Sequence, residues 1–115
     1  MKHPKRRAIA YIVASIISEK NLNSIFDYID SSYYNFGGEI TLNLNIYDYS
    51  RSNYLSGNIN SIYDYSTCNY ITLDIENDNF SGYDYETSNY FNGQFNGNSI
   101  SFYDYETGTH YSFSI

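Results

Sequence analysis

The sequence predicts a mainly β protein: an antiparallel meander of eight to ten short strands built from hairpin repeats, curled or closed like a barrel, with one amphipathic α-helix before it. Three observations predict this. The motif Tyr-Asp-Tyr returns at residues 47–49, 63–65, 83–85 and 103–105, with a degenerate Phe-Asp-Tyr at 26–28; recurrence on this scale marks an architecture in which each copy is one supersecondary unit. Aromatic residues make up 20% of the 115 residues, sixteen of them tyrosine, with a single proline, a composition that suits pleated strands joined by Asn- and Gly-containing turns. Apolar and polar residues also alternate between copies, as in Leu44-Asn45-Ile46 and Ile100-Ser101-Phe102, which is the period of a half-buried strand. One domain over residues 1–115 is expected, with the helix at about 5–20 and the repeats at about 25–115.

The helix is predicted by Ile9, Ile12, Val13, Ile16 and Ile17, which follow the i, i+3, i+4, i+7, i+8 spacing of one helical face. Pro4 suits its first turn and Asn21 its end. A secretory signal is the rival reading of this basic start and its apolar run, but no small-x-small cleavage site precedes Glu19 and Lys20. A helix lying on a membrane surface is the third reading.

Each Tyr-Asp-Tyr copy is followed by a similar tail, as in YDYSRSNYL, YDYSTCNYI, YDYETSNYF and YDYETGTHY. If Arg51-Ser52, Thr67-Cys68, Thr87-Ser88 and Thr107-Gly108 are two-residue hairpin loops, the register follows. Tyr105 then faces His110, Phe102 faces Phe113, Ile100 faces Ile115, Phe80 faces Phe95, Ile62 faces Leu73 and Leu44 faces Ile59. Across the return connections Ile59 meets Ile62, Ile75 meets Phe80 and Phe95 meets Ile100. A β-solenoid of stacked rungs is the alternative, but copy starts at 26, 47, 63, 83 and 103 are too unevenly spaced for rungs and favour hairpins.

Alternation assigns two faces. The expected core face runs from Ile40, Leu42, Leu44 and Ile46 through Leu55, Ile59, Ile62, Ile71, Leu73, Ile75, Phe80, Phe91 and Phe95 to Ile100, Phe102, Phe113 and Ile115. The other carries Tyr47, Tyr49, Tyr63, Tyr65, Tyr83, Tyr85, Tyr103 and Tyr105, with Tyr54, Tyr70, Tyr90 and His110, as a stripe near one set of turns. Because tyrosine offers rigid contact area with a hydroxyl, the first eight are the candidate binding residues; cross-strand packing is the competing explanation.

The formal charge of −7 is uneven: residues 1–20 hold five basic side chains against Glu19, whereas residues 21–115 hold Arg51 against twelve acids. The acidic body disfavours a nucleic-acid partner, leaving only the basic arm for that role. No run approaches transmembrane length, so a membrane partner is disfavoured too. Cys68 stands where other copies have Ser52, Ser88, Gly108 and Ser31, which makes it a small turn residue rather than a catalytic thiol. Asp48, Asp64, Asp84 and Asp104, with Asp27, fall on the core face at its turn end. Turn locks are the expected role; a cation- or ligand-binding ring would need a counter-ion to relieve repulsion. Residues 74–79, DIENDN, lack the glycine and terminal Glu of a calcium loop and read as an exposed turn.

The segments FNGQFNG (91–97) and FYDYETGTHY (102–111) loosely resemble MORN repeats, which are also short β-hairpin units rich in Tyr and Gly; the likeness is confined to the C-terminal part and the glycine spacing is missing from earlier copies, so no family is assigned. No nucleophile elbow, phosphate-binding loop or metal-ligand cluster is present, and neither enzyme activity nor a cofactor or metal is expected. The expected function is a non-catalytic module that binds a protein, or itself as a homo-oligomer, through the tyrosine face; a glycan-binding module and an acidic inhibitor or nucleic-acid mimic are the alternatives. Cytoplasmic localisation is expected, with secretion the alternative.

Overall fold

A computed structural model describes residues 1–115. It comprises α1 (His3–Ser18) followed by ten strands, β1 (Ser24–Asp27), β2 (Ser32–Ile40), β3 (Asn43–Asp48), β4 (Asn53–Asn58), β5 (Ser61–Asp64), β6 (Asn69–Glu76), β7 (Asn79–Asp84), β8 (Asn89–Asn96), β9 (Ser99–Asp104) and β10 (Thr109–Ser114). Every neighbouring pair is antiparallel, and β10 returns to pair with β1, so the meander closes into a barrel without an edge. Closure is the barrel-like alternative named from the sequence; the antiparallel pairing throughout excludes a solenoid.

The lumen holds the helix. A ten-strand barrel is wider than the eight-strand size whose interior side chains alone can fill, and here α1 occupies the space. Residues from Lys5 to Ala14 are buried without interruption, and ten consecutive residues span nearly three turns, so no side of this stretch faces solvent. The expected one-sided amphipathic helix is therefore corrected: Ala8, Ala10 and Ala14 supply slender faces that let the wall approach, while Ile9, Ile12 and Val13 pack into the cluster with Phe102, Phe113 and Ile46. A membrane-surface helix would need that apolar face free. The helix begins at His3 with Pro4 in its first turn, and ends at Glu19 in a left-handed conformation rather than at Asn21.

The wall confirms the two faces and corrects the register by two residues. Tyr103 faces His110, Phe102 faces Tyr111 and Ile100 faces Phe113; likewise Phe80 faces Gly93, Ile62 faces Ile71 and Leu44 faces Gly57. The loops at this end hold four residues (28–31, 49–52, 65–68, 85–88, 105–108), whereas those at the other end hold two (41–42, 59–60, 77–78, 97–98). The reason is the turn chemistry of the aspartate. In the last hairpin the Gly108 N–H donates to the Asp104 carbonyl at 2.8 Å and the Glu106 N–H donates to Asp104 Oδ1 at 3.0 Å, so the turn closes one pair earlier than a two-residue loop would. Its last position has positive φ in every copy, at Ser31, Ser52, Cys68, Ser88 and Gly108, which accounts for the small residue in that slot. A shift of two leaves every side chain on its expected face.

Of the return pairs, Ile75 with Phe80 and Phe95 with Ile100 are as expected; Ile62 instead faces Gly57. Among the expected core, Leu42 is 91% exposed in the 41–42 turn, while Ile25 and Phe36 are core residues the alternation did not assign. The corrected register brings Phe91 against Gly82 and Phe80 against Gly93. A Cβ on Gly93 would lie 1.9 Å from the Ser101 carbonyl and 2.5 Å from the Phe80 ring. Gly93→Ala should therefore destabilise by about 1–3 kcal/mol through overpacking. In the register with Phe80 opposite Phe95 that strand position would be unconstrained, and Ala would be neutral or stabilising; urea denaturation of the variant separates the two.

Candidate functional site

Each Tyr-Asp-Tyr copy places its aspartate in the lumen and its first tyrosine on the outer wall, because neighbours on a strand point to opposite sides; its last tyrosine opens the loop. Since all five loops of four residues lie at one end, the rim has an inner ring of carboxylates and an outer belt of rings.

The inner ring consists of Asp27, Asp48, Asp64, Asp84 and Asp104, all buried. In each, Oδ1 accepts the N–H of the residue two positions on, at 3.0–3.1 Å, so the turn-lock reading holds in every copy. The carboxylates also face cations from the chain's own N-terminal segment. Lys5 Nζ lies 2.9 Å from Asp84 Oδ1, Arg6 Nε 2.9 Å from Asp104 Oδ2, and Arg7 Nε 3.0 Å from Asp27 Oδ2. Arg51 bridges the remaining two, at 2.7 Å from Asp48 and 2.8 Å from Asp64. The counter-ion that a carboxylate ring requires is thus protein.

Three consecutive residues reach three successive aspartates because of two angles. An α-helix turns about 100° per residue, and alternate strands of a ten-strand barrel are about 72° apart. The directions of Lys5, Arg6 and Arg7 therefore fan out toward β7, β9 and β1.

The repeats diverge where the helix touches them. The slot filled by Leu55, Ile71 and Phe91 becomes Tyr111 and Tyr34 in the two copies beside the arginines; Arg6 lies 3.9 Å over the Tyr111 ring and Arg7 3.3 Å over that of Tyr34, as cation–π pairs do. Glu86 stands where two copies have Ser50 and Ser66, and it takes a second Lys5 contact at 2.9 Å. Burial pushes its pKa up, but the Lys5 hydrogen bond and charge, with Lys2, hold it below the ordinary value.

His3 completes the lock, 2.6 Å from Asp27 Oδ2, 3.1 Å from Arg6, and stacked on Phe113. Burial lowers its pKa below 6.5, outweighing the opposing hydrogen bond and charge of Asp27.

On the outer wall the rings form repeated triads. Tyr47 packs edge-on against Tyr49 and Tyr54, Tyr63 against Tyr65 and Tyr70, and Tyr83 against Tyr85 and Tyr90, with centroids 4.7–4.9 Å apart. Tyr103 repeats the pattern with Tyr105 and His110, and Phe26 with Tyr28 and Tyr33. The eight candidate residues therefore divide. Tyr47, Tyr63, Tyr83 and Tyr103 are half-buried triad centres, whereas Tyr49, Tyr65, Tyr85 and Tyr105 are exposed, as are Tyr28, Tyr33, Tyr54, Tyr70 and Tyr90. Tyr28 and Tyr33 were not singled out from the sequence; their position in the degenerate copy is the signal that marks them.

Cys68 is exposed in its turn and the 77–78 turn carries Asn77 at positive φ. No group of three or more His, Cys, Asp or Glu side chains is placed to hold a metal ion, and no helix is long and apolar enough to cross a membrane. Compared with protein-family models, curated proteins and solved structures, the chain matches none.

Two outcomes test the inner lock. Arg6→Met leaves a buried carboxylate without its guanidinium and should cost about 3–5 kcal/mol, with Asp104→Asn added to it restoring part of the loss; simple additivity of the two changes in chemical denaturation would show that they are not coupled. For His3, the unfolded state binds the proton more readily, so its contribution to stability is complete above pH 6.5 and declines as pH falls below that value. His3→Gln should flatten this segment of the stability–pH curve; an unchanged slope between neutral and mildly acidic pH would remove His3 from the lock.

Proposed function

We propose that the protein is a non-catalytic binding module whose working surface is the tyrosine belt on the outer wall of the Tyr-Asp-Tyr rim. One observation carries this reading: nine tyrosines are exposed and gathered in repeated clusters at one end of a barrel whose stability resides in a core on the other face of the sheet. Scattered exposed apolar residues need no explanation, but a concentrated belt of them does. Tyrosine is also the residue that recognition surfaces favour, because a large rigid ring loses little entropy when it is covered.

Several features weigh against other classes. The regularly spaced carboxylates on which an acidic inhibitor or nucleic-acid mimic would rely face the lumen and are paired with Lys5, Arg6, Arg7 and Arg51. The same pairs occupy Lys5, Arg6 and Arg7, leaving only Lys2 and Lys20 of the basic side chains of residues 1–20 exposed for a phosphate partner. Apolar side chains face inward while Asn45, Ser56, Thr72, Ser81 and Ser101 point outward, the reverse of a barrel embedded in lipid. The aspartates that acid–base chemistry would use already accept two or more hydrogen bonds each.

A protein surface or a second copy of this chain suits a belt of rigid rings, and a glycan is the second reading, favoured by grooves between neighbouring hairpins. Replacing Tyr49, Tyr65, Tyr85 and Tyr105 by Ser should leave a folded protein, each exposed ring contributing at most about 1 kcal/mol through its triad, and should abolish concentration-dependent association with partner or self. A folded variant that sediments and binds as the unmodified chain does would place the working surface elsewhere.

A further inference from the structure

We propose that the belt carries quasi-equivalent grooves, each taking a segment of an uncharged glycan, so that the barrel holds polysaccharide multivalently around its rim. This rests on the reading of the belt as the working surface and names its ligand class.

The grooves repeat one construction. Between the second and third hairpins a groove of about 380 Å³ runs between Tyr54 and Tyr65 over Asn45 and Ser56. Between the fourth and fifth, one of about 560 Å³ runs between Tyr90 and Tyr105 over Ser81 and Asn92. Tyr54 and Tyr90 hold the same slot of the repeat, as do Tyr65 and Tyr105. The floors are equivalent too, since Asn45 pairs with Ser56 across β3 and β4, and Ser81 with Asn92 across β7 and β8. A groove of about 580 Å³ over β8, β9 and β10 has Tyr28 as its one tyrosine and the facing pair Ser101 and Ser112 in its lining. The repeat puts Tyr70 and Tyr85 in the corresponding wall positions between the third and fourth hairpins.

The chemistry of these grooves suits a sugar better than a peptide. A pyranose ring has an apolar C–H face that stacks on an aromatic ring and a rim of hydroxyls that both donate and accept; here aromatic walls stand beside short amide and hydroxyl side chains with the same dual capacity. A peptide anchor would need a closed, desolvated pocket at the centre of its interface, whereas these grooves are shallow and polar-floored. Asn92 Nδ2 donates to the Tyr105 hydroxyl at 3.0 Å, which holds that wall in place before any ligand arrives. The charge argues for an uncharged chain: the net charge is −7, and most of the cations of the first turn of α1 are paired in the lumen, so sulfated or uronate polymers would meet repulsion. Repetition around the rim suits a ligand that itself repeats, because several weak contacts combine into avidity.

The test titrates cellohexaose, laminarihexaose, maltohexaose and chitohexaose by calorimetry into the full chain, and follows its retention on columns of the matching polysaccharides. At least one sugar should bind saturably with more than one site per chain. Replacing Tyr54, Tyr70 and Tyr90 together by Ser should lower column retention about tenfold or more, and replacing them by Phe, which keeps the stacking face, should preserve it; circular dichroism of both variants verifies the fold. If none of the four sugars binds at about 10 mM, the glycan proposal is overturned while the belt reading still stands on its association test. If a sugar binds and the Ser variant, folded, retains it as the unmodified chain does, both are overturned.

Discussion

Five carboxylates enclosed in an apolar lumen are the constraint on which the rest of the structure depends. Each aspartate closes a hairpin turn, and hairpin repetition around a barrel carries every copy of that turn to one rim, where the charges converge. Left unpaired there, they would make the fold untenable, since an isolated buried charge costs far more than a domain's net stability. The N-terminal segment resolves this by sending Lys5, Arg6 and Arg7 into the ring, and Arg51 covers the two aspartates that the helix does not reach. The turn of a helix exceeds the angular spacing of alternate strands by roughly 30° per residue, and the long side chains of Lys5, Arg6 and Arg7 take up the difference so that three adjacent residues serve three adjacent hairpins.

The same pairing sets the direction of the helix. Alpha-helix 1 has no side-chain cap, no acidic residue in its first turn and no basic residue in its last, so by itself it opposes its own dipole with Lys5, Arg6 and Arg7 near the positive end. The aspartate ring provides the missing negative charge from the wall. A helix inserted the other way would leave the ring unpaired and bring partial negative charge to it. Buried ion pairs contribute little net stability over apolar replacements; here we assign them to specificity, choosing one of two directions for the helix.

Inner ring and outer belt arise from one tripeptide. In a strand the side chains alternate, so Tyr-Asp-Tyr at a strand end delivers one ring outside, one carboxylate inside and a second ring at the start of the loop. The motif thus serves architecture and surface together, and its repetition alone does not reveal which of the two was retained for function. The departures from repetition are informative. Tyr34 and Tyr111 replace the Leu55, Ile71 and Phe91 of the other copies, Glu86 replaces Ser50 and Ser66, and Arg51 has no basic counterpart; each contacts a charge of the lock. The outer wall, by contrast, keeps both exposed tyrosines in the first four hairpins and replaces one of them, by His110, only in the fifth.

Local chemistry made much of this legible before any coordinates. Tyr-Asp-Tyr recurrence and two-residue alternation identify hairpins, an antiparallel meander, the two faces and the small left-handed slot shared by Cys68, because each depends on residues close in sequence. The register was missed by two because the carboxylate of each aspartate, accepting an N–H within its own turn, closes a four-residue loop where residue types alone suggested a two-residue one. Leu42 reads as core by alternation and is exposed because its strand has already turned. The choice of a fully closed barrel over a curled sheet, the helix in the lumen and the neutralised ring belong to tertiary structure alone. Lys5-Arg6-Arg7 reads in sequence as part of a basic arm at the start of the helix, since nothing local shows that Asp84, Asp104 and Asp27, tens of residues away, converge on it; only the geometry of a closed ten-strand wall around a helix brings them together.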